Sequence, residues 1–129
     1  MLRRLSCLSI LGLAWVAGCA ATGVAPAPAA PPARPTLEEV VSAARADAAR
    51  RSGRAAATLQ LLSAERVTWS DGSLGCPRPG MAYTMALVPG YRVRLAAEGD
   101  AWDYHADLRG TLVLCPAGQA VEPGRDTRY

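Results

Sequence analysis

Apolar residues change their spacing along this chain, and each change predicts a different element. Leu37, Val40, Val41, Ala44 and Ala48 fall at i, i+3, i+4, i+7 and i+11, on one face of an α-helix. Thr36-Leu37-Glu38-Glu39 forms a capping box, in which Thr36 accepts from the Glu39 amide and the Glu39 carboxylate reaches back. Gly53 supplies the stop, and Arg50 and Arg51 before it suit the negative end of the helix dipole. From Thr58 the period shortens. Leu59 to Trp69 combines partial alternation with the β-favouring Val67-Thr68-Trp69, which predicts a first strand with a bulge near Ser63-Ala64. Met81, Tyr83, Met85 and Leu87 alternate with Ala82, Thr84 and Ala86, suggesting a second strand or a short helix, and Pro89-Gly90 reads as a turn.

The next hairpin can be registered by its apolar pattern. A two-residue loop at Gly99-Asp100 pairs Ala97 with Trp102, Leu95 with Tyr104, Val93 with Ala106 and Tyr91 with Leu108. The opposite face then pairs Arg94 with His105 and Arg92 with Asp107. A one-residue slip would set Leu95 against Asp103, so burial selects the first register. Asp107 to Gly110 turns into a last strand, Thr111 to Cys115, which places Leu112 and Leu114 on the core face with Tyr104 and Ala106. Cys115 then shares the outer face with His105 and Arg94. The predicted fold is α+β: one N-terminal helix packed on a four-stranded antiparallel sheet, spanning residues 36–116, with a flexible tail at 117–129.

Ahead of this domain the pattern is different again. Met1 to Arg4 is cationic, Leu5 to Val16 is an apolar run, and Val16-Ala17-Gly18-Cys19 follows. A charged start, an apolar run too short to span a bilayer and small residues before a cut predict a secretory signal peptide at 1–18. Val16-Ala17-Gly18-Cys19 resembles the lipobox of bacterial lipoproteins, position by position. The resemblance implies cleavage before Cys19, acylation of its thiol and amine, and a membrane anchor of several acyl chains. With Ala20 following the cysteine, it implies the outer membrane of a Gram-negative host, facing the periplasm, or the outer face of the cytoplasmic membrane otherwise. Residues 19–35 complete the tether, where repeated Pro and Ala favour an extended, helix-free linker.

Cysteine usage follows from that leader. Of the four cysteines, Cys7 leaves with the signal and Cys19 carries lipid, so Cys76 and Cys115 remain as one pair in an oxidising compartment. A disulfide is expected, and a domain this small gains much from one. A thiolate metal site or a catalytic thiol is the weaker alternative, since two cysteines and a single histidine supply at most three ligands and no CxxC spacing exists.

Charge narrows the function classes. The 129 residues carry a formal +3, from 14 Arg and no Lys against 11 acidic residues. Loss of Arg3 and Arg4 with the leader brings the balance near neutral, without the clustered cationic surface that a nucleic-acid binder needs. No phosphate cradle, paired-carboxylate site or metal-ligand spacing stands out, so no cofactor is expected.

Trp69-Ser-Asp-Gly-Ser-Leu-Gly-Cys-Pro-Arg-Pro-Gly80, then Tyr83, Gly90-Tyr91-Arg92 and Tyr104-His105, resemble a small secreted bacterial envelope domain of unassigned activity. The likeness covers about Val67 to Cys115 and brings no reaction; it implies that the Cys76–Cys115 link and the Tyr-His strand are domain features. Pro77, Pro79, Gly75 and Gly80 around Cys76 suit a rigid presented loop, with Arg78 as the exposed residue, in the manner of secreted protease inhibitors. Turn chemistry alone would produce the same composition. His105 is the single histidine and is expected on an outward strand face. Ser70, Ser73, Asp71, Asp103 and Asp107 would be its partners in a small hydrolase, but no nucleophile-elbow pattern is present. The leading expectation is a lipid-anchored envelope protein that binds an envelope protein or cell-wall partner without catalysis. Arg78, Tyr91, Arg92, Arg94 and His105 are its candidate binding surface.

Overall fold

The computed structural model describes residues 29–124. Helix α1 (Leu37–Ser52) and strands β1 (Gln60–Trp69), β2 (Val88–Ala97), β3 (Asp100–Asp107) and β4 (Leu112–Cys115) lie within one compact unit that begins at Pro32. The strands form an antiparallel sheet in the order β1-β2-β3-β4, confirming the α+β class. The expected signal peptide at 1–18 and the expected lipid attachment at Cys19 fall outside the described residues. Among the described residues no helix is long and apolar enough to cross a membrane.

The helix ends as its sequence dictates. Thr36 accepts from the Glu39 amide and the Glu39 carboxylate accepts from the Thr36 amide at 2.7 Å, closing the capping box. Gly53 takes φ +69° and donates its N–H to the Ala49 carbonyl. Val40, Ala44 and Ala48 face the sheet, and the two alanines let the helix backbone approach closely. They pack on Leu59, Tyr91, Val93, Leu95, Tyr104 and Ala106 in a continuous core. Two buried tyrosines reach through this core to polar partners. Tyr91 donates to the Pro35 carbonyl at 3.1 Å and Tyr104 to Asp47 at 2.9 Å, so each hydroxyl is satisfied; the first ties the segment entering α1 to the sheet and the second ties α1 itself.

The β2–β3 hairpin differs from the expected register by two residues. Ala97 pairs with Asp100, Leu95 with Trp102, Val93 with Tyr104 and Tyr91 with Ala106. The loop residues are Glu98 and Gly99, at φ +41° and +89°. Two consecutive positive φ values mark a primed turn, and glycine occupies its second central position. Arg54, just past α1, bridges Glu98 at 2.5 Å and Asp100 at 3.3 Å, fastening the turn to the helix end. A two-residue slip keeps every side chain on its face, so the apolar pattern cannot detect it. It does change the polar neighbours: Arg92 lies opposite His105, and Arg94 opposite Asp103.

Met81–Leu87 is not a strand. The sheet has four strands because β1 pairs directly with β2, leaving 70–87 as a long connection. The stretch pairs with no strand, and Met81, Met85 and Leu87 are 62%, 86% and 73% exposed. Pro89-Gly90 is likewise no turn but part of β2, paired with Thr68 and Val67. The bulge in β1 falls between Leu61 and Ser63, one residue from its expected place.

Candidate functional site

The face of the sheet turned away from α1 holds a second, smaller core, built by the connection that follows β1. Trp69 at the end of β1 is fully buried and stacks on the His105 ring, with centroids 4.3 Å apart and planes inclined by 21°. Its indole N–H donates to the Ala106 carbonyl at 3.1 Å. Leu74 and Gly75 then take φ +56° and +68°, folding the chain back over the tryptophan. A Cβ on Gly75 would stand 2.7 Å from the Trp69 ring, which explains glycine at that place. Cys76 follows and is bonded to Cys115 of β4, Cα to Cα 5.5 Å. The disulfide thus holds the connection onto the sheet.

His105 is enclosed by this arrangement, which corrects its expected place on an exposed face. Its Nδ1 lies 2.6 Å from the Leu74 carbonyl oxygen, an acceptor only, so Nδ1 carries the proton and donates. Nε2 stands 3.2 Å from Asp103 Oδ1 but lacks hydrogen-bond alignment with it. The ring has no exposed surface, because the connection over β3 covers what the strand pattern left open. Ser73 is buried in the same connection and its amide donates to Asp71 at 2.7 Å.

Arg92 completes the cluster. Its Nε and Nη2 donate to the two oxygens of Asp103 at 3.0 and 2.7 Å, and Nη1 donates to Glu122 at 2.7 Å. The Asp103 hydrogen bonds push the guanidinium above its ordinary value, outweighing the cost of burial. Burial by itself would raise the Asp103 carboxyl. The contacts with His105 and Arg92 more than offset it and hold Asp103 well below the usual carboxylate range. Asp107 follows the same logic: burial opposes ionisation, but the Thr111 and Arg109 amides donate to its carboxylate and lower it. These charges are partners of one another inside the fold.

The five candidate surface residues therefore do not share a surface. Tyr91 belongs to the core beneath α1, while Arg92 and His105 are buried on the far face. Arg94 is exposed, with Nε donating to Ser63 at 3.0 Å. Arg78 is exposed as expected, its amide donating to the Tyr83 hydroxyl at 3.0 Å. The residues beyond 116 are more engaged than a frayed tail. The Val121 amide donates to the Gly75 carbonyl at 2.8 Å and Glu122 meets Arg92, so 117–124 straps the connection; 125–129 lie outside the described residues.

Sequence reasoning missed a groove along β4, which is an edge strand with β3 on one side only. Its volume is about 590 Å³, and Arg51, Arg78, Trp102, Leu112, Leu114 and Pro116 line it. Arg51 comes from α1 and Arg78 from the connection, so no local pattern brings them together. The stretch that closes this architecture runs from inside α1 through Cys115, and a family model matches residues 41–115. The chain belongs to the family described as Domain of unknown function (DUF8738). The DUF8738 match includes β1 to β4, the His105 cluster and both bonded cysteines. No curated protein and no solved structure matches the chain.

Proposed function

We propose that this chain is a lipid-anchored cell-envelope protein, held through acylated Cys19 and the Ala/Pro linker, whose disulfide-stapled domain binds an envelope macromolecule and performs no catalysis. The β4 groove is the observation that supports binding. It places an exposed Arg78, a half-buried Trp102 and the open edge of β4 around one concavity. An aromatic and a guanidinium beside unpaired strand backbone suit an extended polypeptide better than a small molecule. The hydrolase alternative draws no support from His105, whose Nδ1 is spent on the Leu74 carbonyl and whose ring is closed off from solvent. An inhibitor-like alternative rests on Arg78, exposed between Pro77 and Pro79 next to the bonded Cys76.

Two measurements test the proposal. Native protein extracted without reductant and alkylated should give an intact mass that begins at acylated Cys19 and carries no alkylated thiol. An unacylated chain would remove the anchor. In cells, photocrosslinking from position 113 at the groove should trap an envelope component that is lost with Arg78→Glu while the melting curve stays unchanged. Failure to trap any component would remove the binding reading. Inhibition of an arginine-directed serine protease by wild type but not by Arg78→Glu would favour the inhibitor-like alternative.

A further inference from the structure

We infer that the connection between β1 and β2 is a membrane-docking loop, whose apolar tip enters the interface of an anionic bilayer. This rests on the anchored reading, because the tether is what keeps the domain beside a membrane. The segment from Met81 to Gly90 contains no charged residue, and it exposes Met81, Met85 and Leu87 together, three large apolar side chains within seven positions. A fold that buries two tyrosines, a tryptophan and a histidine leaves these outside. Large apolar side chains gathered on one loop mark a surface that is covered in use.

The charge around the loop selects the occupant. A groove of about 650 Å³ runs along it, with Arg34 and Arg109 in its wall beside Leu87. The Arg109 side chain is 85% exposed, and Arg78 is exposed at the start of the loop. The one carboxylate in that wall, Asp107, has a side chain 6% exposed: its oxygens accept from the Arg109 and Thr111 amides and from the Thr111 hydroxyl, and Oδ2 stands 3.4 Å from Arg109 Nε, which leaves the other guanidinium nitrogens of Arg109 toward solvent. An uncharged apolar tip rimmed by guanidiniums is the pattern of an interfacial binder, with methionine and leucine among acyl chains and arginine among phosphates. Arg34 also fixes direction. It is the last charged residue of the linker, so the chain coming from Cys19 joins the domain at this same groove. A linker of roughly 15 residues holds the loop within about 50 Å of the acyl chains, close enough for a weak interface to be occupied.

Vesicle sedimentation tests this with the mature chain lacking its acyl groups, from Ala20 to Tyr129. It should partition onto vesicles of equal parts phosphatidylglycerol and phosphatidylcholine, and far less onto phosphatidylcholine alone. The Met85→Asp, Leu87→Asp double variant should lose about tenfold or more of that partitioning. An Arg34→Gln, Arg109→Gln variant should lose the preference for phosphatidylglycerol, as should raised salt. All substituted side chains are exposed, so melting midpoints should match wild type. A wild-type chain that ignores anionic vesicles, or a double aspartate variant that binds as wild type does, overturns the inference. Because no acyl group is present, this result is independent of the intact-mass measurement. A failed anchor and a failed loop are therefore told apart.

Discussion

Gly90→Ala should damage this fold severely, because the added methyl would meet backbone of the neighbouring strand. Gly90 lies in β2 opposite Asp107, and a Cβ there would stand 1.9 Å from the Ala106 carbonyl oxygen and 2.9 Å from its carbon. Both are backbone atoms, so no side-chain rotation relieves the contact, and β2 must part from β3 by about 1 Å at that point. The same Ala106 oxygen accepts the Trp69 indole N–H, and Trp69 has no exposed surface. Overpacking contributes about 1–3 kcal/mol of destabilisation and the orphaned indole about 1–3 kcal/mol more. Alanine recovers about 0.4–1 kcal/mol by restricting the unfolded chain. The net loss is about 1–5.5 kcal/mol, a fall in Tm of roughly 5–40 °C for a domain of this size. Thermal and urea unfolding followed by tryptophan fluorescence measures it. Gly124→Ala, where nothing lies within 4 Å, is the control and should leave Tm unchanged. A Gly90→Ala midpoint within about 3 °C of wild type would refute the β2–β3 packing argument.

Three further outcomes are expected. Replacing Cys76 and Cys115 by serine opens a link with a sequence separation of 39, which on the chain-entropy model costs about 4 kcal/mol in urea unfolding; a loss below about 1 kcal/mol would show that the staple does not constrain the unfolded chain. Asp103 and Asp107 both have folded values below their unfolded ones, so their contribution is complete above about pH 4 and drains away as pH falls toward the folded values. Stability measured from pH 7 to pH 2 should be flat and then fall, and Asp103→Asn should start lower and fall less steeply. Thr36→Ala removes the hydroxyl that accepts the Glu39 amide and should cost about 1 kcal/mol, with the sheet's near-ultraviolet signature unchanged until melting.

The α-helix was legible because everything that specifies it is local. Thr36, Glu39 and Gly53 act within a few residues, and the apolar stripe needs only an opposing surface. Strand faces were legible for a related reason: alternation depends on parity, and Tyr91, Val93, Leu95, Tyr104 and Ala106 all face α1 as their parity requires. Parity is also where that information stops. The Glu98-Gly99 turn was misplaced because a slip of two preserves every face, and only turn dihedrals and the Arg54 bridges from α1 distinguish the registers. Met81–Leu87 was misread because alternation reports fitness for a strand, whereas pairing is decided by which segments meet in the fold, and β1 pairs with β2 rather than with this stretch.

By itself the sequence determined the capped helix, the α+β class and the Cys76–Cys115 pairing, since each follows from local chemistry or from counting cysteines. Only the tertiary structure decided what the far face of the sheet would be. Arg92, Asp103 and His105 alternate outward along their strands as solvent-facing residues would. Arg92 and His105 are buried and Asp103 half-buried because the chain after Trp69 folds back over them and the disulfide holds it there. Burial of a strand's polar face depends on a covering segment distant in sequence, and no periodicity within the strand encodes that. The same long-range closure brings Arg51 to Arg78 at β4, and Arg34 to Arg109 beside the exposed loop.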